Sequence, residues 1–371
     1  MVLPCFCKSE QTGLVRQFNY WPKYKKWATP AVFFRRRNDR YEWLESFIEH
    51  IKIKSSEYTE SSAILIKWWI RDEVKRGGKE NGMDKTVSIQ ELEKKAGHIR
   101  KHLLNMFSWN KAHHFGGSLS CVELLTALYF YKMNYTKDNM DDSDRDRFVM
   151  SKGHSVPTQY VILSMLGIIP EEELYTIKRM GTRLQGHPDI NKTPGLEAPT
   201  GSLGQGLSFA NGIALAGNLD GLDFNVYVLL GDGELQEGQV WEAAMTTSHY
   251  GLSNICVIVD KNRFQSQGEV NSLMKIDPTE KKWESFGWDA RRIDGHDMGE
   301  ICEALDLMDE KRGKPLAIVA ETVKGRGVSF MEGTHKYHNC SLTLEQFKMA
   351  DAEIDQKLAM MTGEGDGRDG A

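Results

Sequence analysis

Apolar residues recur at helical spacing over residues 88–109. Ile89, Leu92, Ala96, Ile99, Leu103 and Met106 fall on one face of a 3.6-residue period. Residues 121–131 predict a second, more apolar helix. Short unbroken apolar runs follow at 147–150, 224–230, 255–260 and 315–323. Helical stretches at 207–219 and 237–250 separate three of them. Strands that are apolar along their whole length have no solvent face, and helices between them supply parallel crossovers. The pattern predicts an α/β fold, a doubly wound parallel sheet covered on both sides. Ligands of such sheets sit beyond the carboxyl ends of the strands.

This rhythm begins only near Met83. Residues 1–82 hold five of the nine Trp but four of the 34 Gly, with 16 Lys+Arg against 10 Asp+Glu. The remaining residues carry 31 against 42, which with the first part makes the net charge of −5. No motif stands out in 1–82. A targeting peptide would be poor in acids, and ten are present. The alternative is a start assigned too far upstream, with Met83 opening a fresh N-terminus. Lys79-Glu80, readable as AAG-GAG codons, would then form part of a ribosome-binding sequence. The expected organisation is an extension over 1–82 outside the fold, a cofactor-binding domain over 83–362, and a disordered Gly- and charge-rich tail over 363–371.

Composition removes several classes of function. The net charge gives no polyanion signature, so nucleic acid is not an expected partner. No apolar run approaches the ~20 residues of a membrane span. The six cysteines form no CxxC pair, which points to reduced thiols and a cytoplasmic location.

The candidate chemistry lies at the strand ends. The run at 226–230 leads into Gly231-Asp232-Gly233, a helix follows, and the next strand ends in Asp260-Lys261-Asn262. Neighbouring strand ends of one βαβ unit bring Asp232 and Asn262 together. A carboxylate and an amide oxygen suit a hard divalent cation, and the glycines admit a diphosphate close to the backbone. A second Gly-Asp-Gly at 365–367 has no strand before it and serves as the bland comparison: a turn. Thr200-Gly201-Ser202-Leu203-Gly204-Gln205-Gly206 opens the helix at Leu207, a second candidate anion loop.

The run Gly231-Asp232-Gly233-Glu234-Leu235-Gln236-Glu237-Gly238, followed by Asp260-Lys261-Asn262, resembles the thiamine diphosphate motif of transketolases. The resemblance extends from about Ala96 to about His338 and implies the diphosphate-domain fold of those enzymes. It implies a Mg²⁺ ion, or Ca²⁺ or Mn²⁺, held by the side chains of Asp232 and Asn262 and the carbonyl of Phe264. Cofactor contacts are implied for His154, Gly204, Gln205, Gly206, Gly231, Asp232, Gly233, Glu234, Asn262 and His338. Glu237 and Glu242 match positions at the subunit interface.

Four of the eleven histidines match family positions: His114, His154, His187 and His338. The resemblance implies that they line the substrate channel or touch the diphosphate, and proton exchange with sugar hydroxyls suits neutral imidazole. Family members usually carry Gly where His113 and Asn339 stand. The implied reaction moves a two-carbon ketol unit from a ketose, free or phosphorylated, to an aldose, as in the pentose phosphate reactions. Rival readings are a deoxyxylulose-phosphate synthase, a 2-oxo acid dehydrogenase component, or a cofactor-binding subunit without catalysis. The family's pyrimidine-binding domain has no counterpart in this sequence. The expectation is therefore a separate subunit carrying it, in a two-plus-two heterotetramer.

Overall fold

The computed structural model describes residues 87–107, 111–310 and 313–362. The expectations for 1–82 and 363–371 lie outside the described residues. Five strands form one parallel sheet: β1 Arg147–Met150, β2 Val226–Gly231, β3 Ile255–Lys261, β4 Asp289–Asp294 and β5 Leu316–Glu321, in the order β1-β2-β3-β5-β4.

The apolar runs become central strands because both their faces are covered. Tyr227, Leu229, Cys256, Ile258, Leu316 and Ile318 point into one core cluster. Val226, Val228, Leu230, Ile255, Val257 and Val259 point into the other. The second cluster is closed by helices Gly206–Leu219, Gly238–His249 and Thr279–Ser285, which connect β1 to β2, β2 to β3 and β3 to β4. Helix Met298–Asp306, between β4 and β5, packs in the first cluster. The chain moves one way along the sheet as far as β4 and reverses for β5. With right-handed crossovers, that reversal puts the last connection on the opposite face. The doubly wound reading is thereby met.

Helix Ile89–Met106 starts where the pattern predicts. Ser88 and Glu91 form a reciprocal capping box, each side chain accepting from the other's backbone N–H. Leu92, Ala96, Ile99 and Leu103 are buried on its inner face. The helix predicted over 121–131 is present as Val122–Ala127 running into a π-helical turn over Leu128–Lys132, and a further short helix, Phe115–Ser120, precedes it. Cys121 at the junction leaves the helical backbone, and its thiol donates to the Gly117 carbonyl. Among the described residues, no helix is long and apolar enough to cross a membrane.

Candidate functional site

Four strand ends converge on one place: residues 151–154 after β1, 231–233 after β2, 262–264 after β3 and 322–324 after β5. Asp232 is 2% exposed. Its carboxylate accepts from the backbone N–H of Gly233 at 2.8 Å and from that of Arg263. Burial, reinforced by the neighbouring Asp260 carboxylate, pushes its pKa up to about 7. Asn262 is also buried; its Oδ1 accepts from Phe264 N–H at 3.2 Å and its Nδ2 donates to Asp260 at 3.0 Å. Arg263 adopts a left-handed φ of 72°, and the chain folds back so that Phe264 bridges to Glu269. The carbonyl of Phe264 accepts from the Lys324 ammonium at 2.6 Å. Sequence-predicted Asp232, Asn262 and Phe264 thus share one small region.

Two buried lysines complete it. Lys152 donates to Asp260 and to the Gly117 carbonyl. Asp260 also accepts from the hydroxyls of Ser120 and Thr322. Burial disfavours both charges, yet each holds the other ionised: Lys152 is raised and Asp260 lowered. Lys324, also buried, donates to Nδ1 of His338 at 2.9 Å as well as to Phe264. Burial, with the Lys152 charge, brings Lys324 down to about 8.

Glu234 has a structural place that the motif alone does not reveal. One oxygen accepts from Gly204 N–H at 2.8 Å and from the Ser151 hydroxyl; the other accepts from Gly231 N–H at 3.0 Å. The carboxylate therefore ties the ends of β1 and β2 to the second glycine loop. An added Cβ at Gly204, at φ 86°, would sit 2.9 Å from the Glu237 side chain, and Gly206 lies so close to Ser151 that an added Cβ would sit 2.4 Å from that side chain. Gln205 remains exposed at the start of its helix.

The four predicted histidines meet. The His114 ring centroid lies 5.1 Å from His154, 5.5 Å from His338 and 6.2 Å from His187; His154 and His338 are 5.1 Å apart. Burial lowers all four, His114 to about 4 and His338 to about 3, so the cluster is neutral at pH 7. His113 faces the other way. It is buried, stacked on Phe107 at 4.7 Å, and paired through its backbone with Cys340. Neither of its ring nitrogens has a hydrogen-bond partner. Its position is that of a core aromatic. Glu237 and Glu242 are exposed, at the start and in the second turn of helix Gly238–His249.

Lys152, Asp260 and Lys324 were not singled out from the sequence. Lys152 stands directly before Gly153-His154, and Lys324 before Gly325-Arg326-Gly327, just past a buried strand. A lysine directly before a glycine, just past a buried strand, is the signal that could have found the two lysines.

Residues 93–358 match the family described as transketolase, thiamine diphosphate binding domain. The chain is 40% identical over 282 residues to one of the subunits of apulose-4-phosphate transketolase from Phocaeicola vulgatus, covering 76% of this chain and 100% of that one. It is 42% identical over 269 residues to a 6-deoxy-6-sulfo-D-fructose transketolase subunit of a Clostridium species, covering 72% and 98%. Among solved structures, transketolase from Campylobacter jejuni superposes with a TM-score of 0.65 at 29% identity, over 75% of this chain and 49% of that one. The chain thus spans about half the length of that transketolase.

Proposed function

The chain belongs to the transketolase thiamine diphosphate-binding domain family, and from that membership we propose that it is the diphosphate- and metal-binding subunit of a two-subunit transketolase. The reaction is transfer of a two-carbon ketol unit from a ketose to an aldose. The relatives named as transketolase subunits match this chain over nearly their entire length, which supports a partner subunit here.

The observation that carries the reading is the meeting of four neutral imidazoles, one of which, His338, shares the Lys324 ammonium with the Phe264 carbonyl. The donors fit the implied groups. Asp232 is a carboxylate buried with backbone N–H partners and raised by burial, and a bound cation would stabilise its charged form. With the Asn262 amide oxygen and the Phe264 carbonyl it forms an all-oxygen set suited to Mg²⁺. An added Cβ at Gly231 would meet nothing closer than 3.9 Å, which leaves room for a diphosphate at that backbone, and the Lys152 and Lys324 ammoniums supply charge to meet it.

When bound, thiamine diphosphate supplies the electron sink for cleaving the bond next to a ketose carbonyl. The chain's part is to hold and to move protons. Asp232, Asn262 and Phe264 would hold the metal; His154, Lys324 and His338 would face the diphosphate end. His114 and His187, neutral at pH 7, accept and return protons of sugar hydroxyls. Glu237 and Glu242, exposed near one helix start, face the partner.

Asp232→Ala removes the only carboxylate of the proposed metal set. Magnesium-dependent thiamine diphosphate affinity, measured by calorimetry, should fall by about a hundredfold or more. Unchanged affinity would remove the metal assignment.

A further inference from the structure

Outside the site itself, three buried polar side chains form a chain of hydrogen bonds that ends on the backbone beside Lys324. Arg100, in helix Ile89–Met106, donates to both oxygens of Glu123, at 2.5 and 2.7 Å. Its Nε donates to the Arg326 carbonyl at 3.1 Å. Glu123 accepts in turn from Nδ1 of His296, at 3.1 Å. Nε2 of His296 accepts from the Val323 N–H at 2.8 Å. A ring nitrogen that accepts carries no proton, so the imidazole is neutral and its proton sits on Nδ1, pointing at Glu123. Side-chain exposures are 9%, 12% and 9% for Arg100, Glu123 and His296.

The turn these groups hold has little slack. Gly327, at φ 103°, lies under the Arg100 side chain, where an added Cβ would sit 2.8 Å from its Cδ. Gly325, at φ 79°, approaches the Met331 carbonyl so closely that a Cβ there would stand 2.3 Å from the oxygen. Gly325 N–H donates to the Gly116 carbonyl, and the Lys324 carbonyl accepts from Gly333 N–H. Val323 and Arg326 are thus pinned from the same side by one polar relay, and Lys324 projects between them to Phe264 and His338.

We propose that Arg100, Glu123 and His296 are positioning residues that fix the turn over residues 323–327 and so aim the Lys324 ammonium into the metal and diphosphate centre. None of the three touches that centre; they act through the backbone on either side of Lys324. The inference rests on the reading of this site as a cofactor centre, and its consequence is that cofactor affinity depends on a group on the sheet's far edge loop. Three charged or polar partners are needed because the link must stay rigid in a buried place, where unpaired polar groups are strongly disfavoured.

Lysine acylation of the full chain, read by mass spectrometry, tests it. Lys152 is an internal control: it is equally buried but is held by Asp260, independently of the relay. In His296→Leu the acylation rate of Lys324 should rise on the order of tenfold through local opening, with Lys152 unchanged. His296→Gln, whose amide can both accept from Val323 and donate to Glu123, should restore protection. Glu123→Gln, a milder change, should raise the Lys324 rate alone by about threefold. Equal rises at Lys152 and Lys324, or no rise in Glu123→Gln, would overturn the proposal. A second arm measures magnesium-dependent thiamine diphosphate affinity. His296→Leu should weaken it in the wild-type background and have no further effect in Lys324→Met. Additive losses overturn the proposal. A wild-type chain that binds no cofactor, alone or mixed with its partner subunit, overturns the functional reading instead, and the acylation rates then decide the relay by themselves.

Discussion

At the scale of single residues, the histidines came out of the sequence and the lysines did not. The four imidazoles were found because they match positions of the transketolase family, not by spacing alone. Lys152 and Lys324 look like surface residues until the fold buries them, and Asp260, though quoted with the motif, was given no partner there. Their pairing crosses more than a hundred positions between Lys152 and Asp260, a distance that no spacing rule spans. Glu234 was legible as part of the motif, but its actual partners, Ser151 and Gly204, come from two other loops. The histidine cluster carries a pH dependence. Its folded pKa values lie below the ordinary 6.5, to about 4 for His114 and about 3 for His338. The unfolded chain therefore takes up protons first as pH falls. Stability is at its full value above 6.5 and declines below it, by roughly 1.4 kcal/mol per pH unit for each of His114 and His338, down to the folded pKa. Urea midpoints measured from pH 7 to 5 should fall, and His114→Asn should make the decline shallower. An identical slope in that variant would contradict the assigned burial effect.

At the scale of elements, the four apolar strands were legible because a two-sided core demands uninterrupted hydrophobicity. β4 was not. Its residues, Asp289–Asp294, include two apolar side chains, and among the described residues it pairs only with β5, at the margin of the sheet. An edge strand needs no second apolar face, so it reads as polar loop. Helix Val156–Met165 was also missed: eight of its ten residues are buried all round, and no amphipathic stripe marks it. The start of helix Gly206–Leu219 illustrates how closely elements meet at the site. Gly206 N–H donates to the Ser151 hydroxyl at 3.2 Å, and the missing side chain lets that contact form. Gly206→Ala should push the helix off the end of β1 and destabilise the chain by about 1–3 kcal/mol. Denaturant unfolding measures this. A stability within a few tenths of a kcal/mol of wild type would show that the contact is not tight.

At the scale of the molecule, the question is what joins this chain in the working enzyme. The exposed Glu237 and Glu242 and the naming of the close relatives as subunits lead to the same expectation. The purified chain should give no ketol transfer with thiamine diphosphate and Mg²⁺, and activity should appear on mixing with its partner. Turnover by the pure chain alone would refute it. The order of the strands has one more consequence, for synthesis on the ribosome. β1, β2 and β3 can pair as they emerge, each against the strand made before it. β4 cannot: its pairing partner among the described residues is β5, which is translated later and inserts between β3 and β4. The cluster of strand ends is likewise incomplete until Lys324 has left the exit tunnel, followed by His338. The nascent chain must therefore carry an unpaired strand for a time. The polar composition that hid β4 from sequence inspection, Asp-Ala-Arg-Arg-Ile-Asp, is what makes that waiting strand safe from pairing with its neighbours on other ribosomes.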